Sequence, residues 1–452
     1  MAEVPEPYDP ARPYWLQGNF APVDREVDVA DLPVEGSLPA ELRGLYVRNG
    51  SNPATGESPH WFLGDGMVHG IRIEDGKARW YRNRYVRTTL FERRGGLLTV
   101  GPPGGAANQS NVSVVEHAGR LLSLGEIGYP YELVADDLST RGVFDYDGQL
   151  TTAMTAHPKI HPSTGKLHFF GYGFVPPYLT YHIASPSGTL EYTQEVGVRG
   201  PTMIHDFAIT DRDAVFWELP VVFDLQAAIQ SVSGGSGEFP FRWEPSYGAR
   251  VGIMPLEGPT SAIRWVEIDP CYVFHGANAY RDGDSVVLDV CRLESAFASE
   301  DFGQSSVRRW RIDTSGPSLR FAEEILSDVW MDLPAIDRRF TGQQHSKAWY
   351  LTVDDGGSAP FEFSGILALD SQSGSFDRWE PGPVYRAGEV VFAPAGSGEG
   401  EGWLLLFAYD KRRGASDFVV LDATNVRAGP VARVALPVRV PYGFHGWWVP
   451  DA

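Results

Sequence analysis

The chain has 452 residues, including 50 glycines and 34 prolines, and 12% of its residues are aromatic. Its formal net charge of -20 at pH 7 argues against binding to a nucleic-acid backbone or to an anionic membrane surface. The two cysteines, Cys271 and Cys291, are too few for a disulfide framework and lie in apolar runs, so we expect two buried free thiols.

The N-terminal residues 1–13 are acidic and proline-rich, and they lack the basic start and apolar centre of a signal peptide. No apolar run approaches the length of a membrane span. We therefore expect a cytoplasmic protein.

Residues 1–43 have the composition of an extended arm, and an apolar run that ends in turn residues follows at 44–53. From there to the C-terminus, short apolar or alternating runs are separated by turns rich in Gly, Asp and Ser, as at residues 112–115, 121–124, 166–172, 178–183, 214–219, 286–290, 349–353, 403–408 and 418–421. This spacing is typical of an all-β sandwich, barrel or propeller, and periodicity alone does not choose among the three.

Two apolar segments have the character of inserts. Residues 221–230 are expected to form a short helix that leads into a flexible Gly/Ser segment at 233–237, and residues 174–179 form an apolar loop with two prolines. Such loops either take up an apolar substrate from a membrane or micelle, or simply cover the core.

Four histidines share one kind of setting, a strand end next to a small residue or a proline. They are His157 in Thr155-Ala156-His157-Pro158, His205 in Met203-Ile204-His205-Asp206, His275 in Phe274-His275-Gly276 and His445 in Phe444-His445-Gly446. A fixed backbone at such a point lets each imidazole aim one nitrogen at a shared centre. Four imidazoles suit Fe, Cu, Ni or Zn, although any one of them alone is more often a structural residue.

These four segments, in this order, together with Arg48-Asn49-Gly50, resemble the signatures of the carotenoid cleavage oxygenases. The resemblance extends over nearly the whole chain. It implies one domain over residues 1–452, folded as a seven-bladed β-propeller with a dome of loops and short helices above an axial metal. It also implies one Fe²⁺ per chain held by the four histidines, with His445 in the last blade.

The same resemblance implies three carboxylates that accept hydrogen bonds from the outer ring nitrogens of the ligands, which offsets the metal charge and sets the tautomers. Glu126 and Glu389 match the first and last of them and are expected to support His205 and His445. Asp332 stands where the family usually has Glu. Because its side chain is one methylene shorter, we expect it to reach His275 only through a backbone shift or a water.

The remaining histidines match no ligand position, and we interpret them as structural or exposed residues: His60, His69, His117, His161, His168, His182 and His345. The chain also has no Gly-x-Ser-x-Gly nucleophile segment and no phosphate-binding loop. A structural zinc site is disfavoured because neither cysteine lies at a ligand position.

The resemblance implies a dioxygenase that uses O₂ to cleave a C=C bond of an apolar alkene into two carbonyl products. Stilbene-cleaving members carry Lys directly before the first carboxylate, where this chain has Gly125, so we favour a carotenoid or apocarotenoid over a stilbene or phenylpropenoid. Tyr85 or Tyr129 could still receive a phenol. Isomerohydrolase chemistry on the same metal centre and a non-catalytic propeller that serves as a binding platform are two further hypotheses. The oligomeric state does not follow from the sequence.

Overall fold

The computed structural model describes residues 8–93, 105–232, 239–298, 303–354 and 362–451. The strands of the first half are β1 (Asp28–Leu32), β2 (Val34–Gly36), β3 (Gly44–Ser51), β4 (Gly66–Glu74), β5 (Lys77–Tyr85), β6 (Ser113–His117), β7 (Arg120–Leu124), β8 (Tyr131–Leu133), β9 (Thr140–Val143), β10 (Lys159–Ile160), β11 (Leu167–Tyr172), β12 (Leu179–Ala184), β13 (Leu190–Glu195), β14 (Ala208–Ile209), β15 (Asp213–Glu218), β16 (Val221–Phe223) and β17 (Phe241–Trp243).

Those of the second half are β18 (Ala249–Pro255), β19 (Arg264–Ile268), β20 (Tyr272–Asp282), β21 (Ser285–Leu293), β22 (Ser306–Asp313), β23 (Arg320–Ser327), β24 (Met331–Ile336), β25 (Lys347–Asp354), β26 (Glu362–Asp370), β27 (Phe376–Trp379), β28 (Tyr385–Arg386), β29 (Val391–Pro394), β30 (Gly402–Asp410), β31 (Ala415–Asp422), β32 (Pro430–Ala435) and β33 (Gly446–Pro450). The α-helices are α1 (Thr89–Arg93) and α2 (Leu225–Val232). Short 3₁₀ turns lie at Tyr14–Leu16, Trp61–Leu63, Pro245–Tyr247, Thr260–Ala262, Arg338–Phe340 and Val426–Ala428.

Apart from β16 and β17, which pair only with each other, these strands form seven antiparallel sheets, the blades of a seven-bladed β-propeller, which confirms the expected fold. In order along the chain, blades 1 to 7 consist of β1-β5-β4-β3-β33, β6 to β9, β10 to β13, β14-β15-β18-β19, β20 to β23, β24 to β27, and β2-β32-β31-β30 with β28 and β29 both paired to β30. Within the described residues, no helix has the length and hydrophobicity needed to cross a bilayer.

The ring closes between the two ends of the chain. β33 pairs with β3, with Arg48 opposite Gly446 and Gly44 opposite Pro450. His445 directly precedes β33 and so belongs to blade 1, where it joins N-terminal strands, rather than to the last blade as predicted. This pairing joins the two ends of the chain in one blade and so holds the ring of blades closed.

The N-terminal arm adds outer strands to two blades. β1 pairs with β5 in blade 1, and β2 pairs with β32 in blade 7. The part of residues 1–43 that the structure describes therefore bridges neighbouring blades.

Blades pack face to face, so many strands are buried on both sides. Phe169 and Phe170 are consecutive on β11 and both are fully buried, and the tryptophans Trp217, Trp310 and Trp349 fill the space between blades. Residues on both faces contact another blade, which explains why the apolar runs in the sequence are continuous rather than strictly alternating. Cys271 and Cys291 are buried free thiols, as predicted.

The predicted helix over 221–230 is wrong in its first half. Residues 221–223 form β16, which pairs with β17 as a two-stranded hairpin, and α2 begins only at Leu225. The predicted flexible segment 233–237 lies outside the described residues.

Candidate metal centre

The four histidines come from four different blades and meet in one place. His157 and His205 lie just before β10 and β14, His275 lies within β20, and His445 lies immediately before β33. One ligand nitrogen from each of the four lies within 4.8 Å of those of the other three. A propeller axis brings them together because each blade turns one edge strand toward the same centre.

The spacing of the imidazole nitrogens fits a shared ion. The Nε2 atom of His205 lies 2.9 Å from that of His157 and 3.3 Å from that of His275. Two nitrogens bound at right angles at about 2.1 Å to one metal ion lie about 3.0 Å apart. Neutral lone pairs that converge in this way repel one another unless a cation lies between them, so the donor set fits a divalent transition metal.

The three predicted carboxylates contact the outer ring nitrogens of three of these histidines. Glu389 Oε1 accepts from His445 Nδ1 at 2.7 Å, and Glu126 Oε1 contacts His205 Nδ1 directly. With Nδ1 held as the donor, Nε2 carries the lone pair that a metal needs.

Asp332 reaches His275 without a bridging water. Its Oδ1 atom lies 2.7 Å from His275 Nδ1 and also accepts from the backbone N–H of Leu333. Strand β24 has a register shift between Asp332 and Ala335, and Leu333 has a φ of 52°. Of the two predicted alternatives, a backbone shift or a bridging water, the structure shows the backbone shift with a direct contact.

Each of the seven blades contributes one side chain to the centre. Blades 1, 3, 4 and 5 supply His445, His157, His205 and His275. The remaining blades each supply a carboxylate: Glu126 follows β7 in blade 2, Asp332 lies in β24 of blade 6, and Glu389 precedes β29 in blade 7.

Burial and neighbouring charges set the protonation of these rings. Burial, reinforced by the other three histidines, holds the pKa of His157 well below its ordinary value. Burial also lowers the pKa of His275, and Asp332 only partly opposes it. For His205, burial acts downward, but the contact with Glu126 outweighs it and the pKa is raised. Among His157, His205 and His275, His205 is therefore the ring for which a proton competes most strongly with a metal ion.

The Arg48-Asn49-Gly50 element supports the turn that carries His445. Phe444 N–H donates to Asn49 C=O at 3.0 Å, and Asn49 N–H donates to His445 C=O at 3.1 Å. A Cβ atom on Gly50 would lie 2.8 Å from the Cα of Gly443, so the two glycines permit a close approach of the two ends of the chain. The resemblance to the family identified this element in the sequence, but its role in supporting the His445 turn was not predicted.

A cavity of about 430 Å³ opens on one side of the cluster, where His205, His275 and His445 reach its wall. Its lining is predominantly apolar and includes the aromatic side chains of Trp61, Phe62, Phe174, Phe223, Phe239, Phe241, Phe274, Trp330, Phe363 and Phe444. Both predicted inserts contribute to it, since Phe174 stacks on Phe223 with ring centroids 3.9 Å apart. Apolar walls of this kind bind an apolar molecule and exclude water.

The polar side chains in this wall that were not foreseen from the sequence include Tyr172 and Gln109. The Tyr172 hydroxyl donates to Glu126 Oε2 at 2.8 Å, and Gln109 also lines the cavity. Tyr172 is simply the last residue of an apolar strand, and Gln109 lies in a polar loop, so no sequence pattern marked either one.

The residues suggested for a phenol lie elsewhere. Neither Tyr85 nor Tyr129 is among the described residues that line the cavity, and Tyr85 accepts a hydrogen bond from Asn52. A Cβ atom on Gly125 would lie 3.1 Å from Asn108 Oδ1, so a larger residue would need some movement there.

The remaining histidines stay outside the four-histidine cluster, as predicted, and contact other parts of the fold. His69 and His168 pair with the hydroxyls of Tyr81 and Tyr181, and His117 contacts the Gly165 carbonyl. The others have local partners: His60 with Phe62 N–H, His161 with Ser163, His182 with Thr152 and Thr193, and His345 with Asn278.

Known proteins are similar to this chain in sequence and in fold. A family model described as retinal pigment epithelial membrane protein matches residues 20–450. A carotenoid cleavage oxygenase of Mycobacterium tuberculosis is 35% identical over 96% of this chain and 97% of its own length. An isoeugenol monooxygenase of Pseudomonas nitroreducens is 32% identical over 96% and 98%.

The crystal structure of a lignostilbene dioxygenase from Pseudomonas brassicacearum matches with a TM-score of 0.87 at 28% identity, covering 99% of this chain and 100% of that one. The family model and the 35% identical relative each extend over nearly the whole chain. The chain therefore belongs to the retinal pigment epithelial membrane protein family, the family of the carotenoid cleavage oxygenases.

Proposed function

We propose that this chain is a non-haem iron dioxygenase that binds one Fe²⁺ through His157, His205, His275 and His445. The observation that carries the proposal is that these four imidazoles converge and that three of them, all except His157, reach the wall of an apolar cavity. A site made of four imidazole nitrogens and no cysteine suits iron, as it suits the other metals that prefer imidazole ligands. Ferrous iron, when bound there, would supply the activation of dioxygen.

The reaction we propose splits a C=C bond: one alkene and one O₂ give two carbonyl products, each carrying one oxygen atom. The chain itself provides no nucleophile and no acid or base in this scheme. The aromatic walls hold the double bond beside the cluster and exclude water, while Glu126, Asp332 and Glu389 keep the outer ring nitrogens protonated.

For the substrate we favour a carotenoid or apocarotenoid. The support is the predominantly apolar lining and Gly125 at the position where stilbene-cleaving members carry Lys. The second candidate is a phenolic stilbene or phenylpropenoid. A specific observation favours it, because Tyr172 places a hydroxyl, already bonded to Glu126, in the cavity wall where a phenol could bind.

We further propose a cytoplasmic protein that meets its substrate at a membrane or micelle. Val175 and Leu225, in the segments that bring Phe174 and Phe223 to the cavity, are 66% and 64% exposed. The chain's net charge of -20 limits such contact to surfaces that are not strongly anionic.

The first test is the metal content of protein reconstituted anaerobically with Fe²⁺ and then desalted. About one iron per chain is expected, followed by O₂-dependent formation of aldehydes in a paired screen of apocarotenals and hydroxystilbenes. A folded protein that retains no iron would contradict the proposal and favour a non-catalytic binding platform. If the protein retains iron but cleaves neither substrate class, the proposed metal site would stand and the proposed substrate would be wrong.

A further inference from the structure

His157 differs from the other three histidines of the cluster. Each of those three rings contacts a carboxylate through its outer nitrogen. Among the residues that the structure describes, no acidic side chain forms a hydrogen bond or an ion pair with the His157 ring, whose Nε2 atom lies 2.9 Å from that of His205. The position of His157 must therefore be set through its chain segment rather than through a carboxylate on its ring.

An ion pair beside the cluster connects this segment to the next ligand. Lys159, two residues after His157 and in β10, places its ammonium 2.8 Å from Asp206 Oδ1. Asp206 directly follows His205. The side chain of Asp206 is 2% exposed and that of Lys159 is 21% exposed. Loss of the lysine would leave the Asp206 charge buried without a partner, which is costly.

The other oxygen of Asp206 reaches a third ligand segment. Oδ2 accepts from the backbone N–H of Gly276, which directly follows His275, at 3.0 Å. Oδ1 also accepts from Phe207 N–H at 2.8 Å, so both oxygens have partners. Lys159 lies in blade 3, Gly276 lies in blade 5, and Asp206 lies just before β14 of blade 4. Asp206 thus joins the segments of three ligands from three consecutive blades.

We propose that Asp206 is a positioning residue of the metal centre, which fixes the spacing of the His157, His205 and His275 segments around the ion. It acts on the chain segments of the ligands, whereas the other three carboxylates act on their rings. The inference rests on the metal binding proposed above. Neither Asp206 nor Lys159 is among the described residues that line the apolar cavity, so the role does not depend on which alkene is cleaved.

The two oxygens of Asp206 give a specific expectation for Asp206→Asn. Both oxygens accept hydrogen bonds, whereas an amide has one oxygen and one NH₂ group, which only donates. In either orientation the NH₂ group would face a donor, either the Lys159 ammonium or the Gly276 N–H. One of the two links between blades is therefore lost, although the size of the side chain is kept.

The test compares metal binding in the full-length wild type and in Asp206→Asn. Anaerobic competition with a chromophoric chelator measures the Fe²⁺ affinity, and we expect the variant to lose about 10-fold or more. The visible absorption of Co²⁺-loaded protein reports the arrangement of the ligands, and we expect its bands to shift. If either quantity stays at the wild-type value, the proposal is overturned. A wild type that binds neither ion would instead reject the proposed function itself, together with this role.

Asp213→Asn is the matched control. Asp213 is also buried in blade 4, and it forms an ion pair at 2.6 Å with Arg281 of β20 in blade 5. It therefore links two of the same blades without contacting a residue next to a ligand. The Tm of Asp213→Asn should fall, whereas its Fe²⁺ affinity and cobalt spectrum should match the wild type. An equal loss of affinity in this control would show that any weakened contact between blades has the same effect, and would overturn the proposal.

Two variants of Lys159 decide if Asp206→Asn fails to fold. Lys159→Met removes every donor from a partly exposed position and should lower the Fe²⁺ affinity. Lys159→Arg keeps the charge and the ion pair and should retain the wild-type affinity. Equal affinities in these two variants would overturn the proposal.

Discussion

The Asp332 carboxylate lies 2.7 Å from His275 Nδ1, although its side chain is one methylene shorter than the glutamate expected at this position. The contact depends on an irregular stretch of β24, where the register shifts after Asp332 and Leu333 adopts a positive φ. Asp332 thus keeps both the negative charge and the contact with His275 that a glutamate would provide. This carboxylate is therefore the first residue to mutate.

Asp332→Asn is expected to lower Fe²⁺ affinity by about 10- to 100-fold while leaving the propeller folded, because the amide can accept the hydrogen bond but does not balance the metal charge. Competition with a chromophoric chelator measures the change. Asp211→Asn, in an exposed turn, is the matched control and should bind iron like the wild type. Wild-type affinity in Asp332→Asn would show that the charge is dispensable.

Gly50→Ala should weaken the His445 turn. The new Cβ atom would lie 2.8 Å from the Cα of Gly443, so one of the two segments must move, at a cost of about 1–3 kcal/mol in stability. We expect a lower Tm and less than one iron per chain. Gly197→Ala, at an exposed position with no atom within 4 Å, should leave both quantities unchanged. Normal iron content in Gly50→Ala would show that this contact does not position His445.

Tyr172→Phe separates the two substrate classes. The substitution removes the hydroxyl that donates to Glu126 but keeps the ring in the cavity wall. If the substrate is phenolic, kcat/KM for a hydroxystilbene should fall more than about 10-fold while iron is retained. Loss of the Tyr172 hydroxyl would leave the buried phenol of the substrate without its hydrogen-bond partner. Turnover of an apocarotenal should change little. Tyr181→Phe, which loses a buried hydrogen bond to the Leu256 carbonyl away from the cavity, controls for loss of stability.

Acidification should destabilise the protein through buried histidines outside the metal cluster. Burial lowers the pKa of His182 from 6.5 to about 4, so the unfolded state binds a proton before the folded state does. The corresponding stability is fully present above pH 6.5 and is lost as the pH falls toward the folded pKa. At pH 5 the loss amounts to about 2 kcal/mol for such a group.

The check is the urea unfolding midpoint at pH 7 and pH 5, compared between the wild type and His182→Gln. The variant loses hydrogen bonds to Thr152 and Thr193 and should be less stable at pH 7, but its stability should depend less steeply on pH. Parallel pH profiles for the two proteins would exclude His182 as a source of the acid sensitivity.

Much of this protein could be predicted from the sequence by itself. Short apolar runs between turns identified an all-β chain, and two isolated cysteines in such runs predicted buried thiols. The motifs around His157, His205, His275 and His445 named the side chains that the fold brings together. These features are local, because each depends on a few consecutive residues and on the resemblance that they carry.

Other features were decided by contacts between distant segments. Residues 221–223 form a strand because residues 241–243 pair with them, whereas the same apolar run is compatible with a helix when considered alone. His445 belongs to blade 1 because β33 pairs with β3.

The same holds for Asp332 and Tyr172. Asp332 reaches His275 through an irregularity in β24 that no pattern signals, and Tyr172 faces Glu126 only because blades 2 and 3 are neighbours. Residue type and local pattern can be read from the sequence. Which side chain contacts which buried polar group is decided only when the blades pack against one another, because the contacting residues are far apart in the chain.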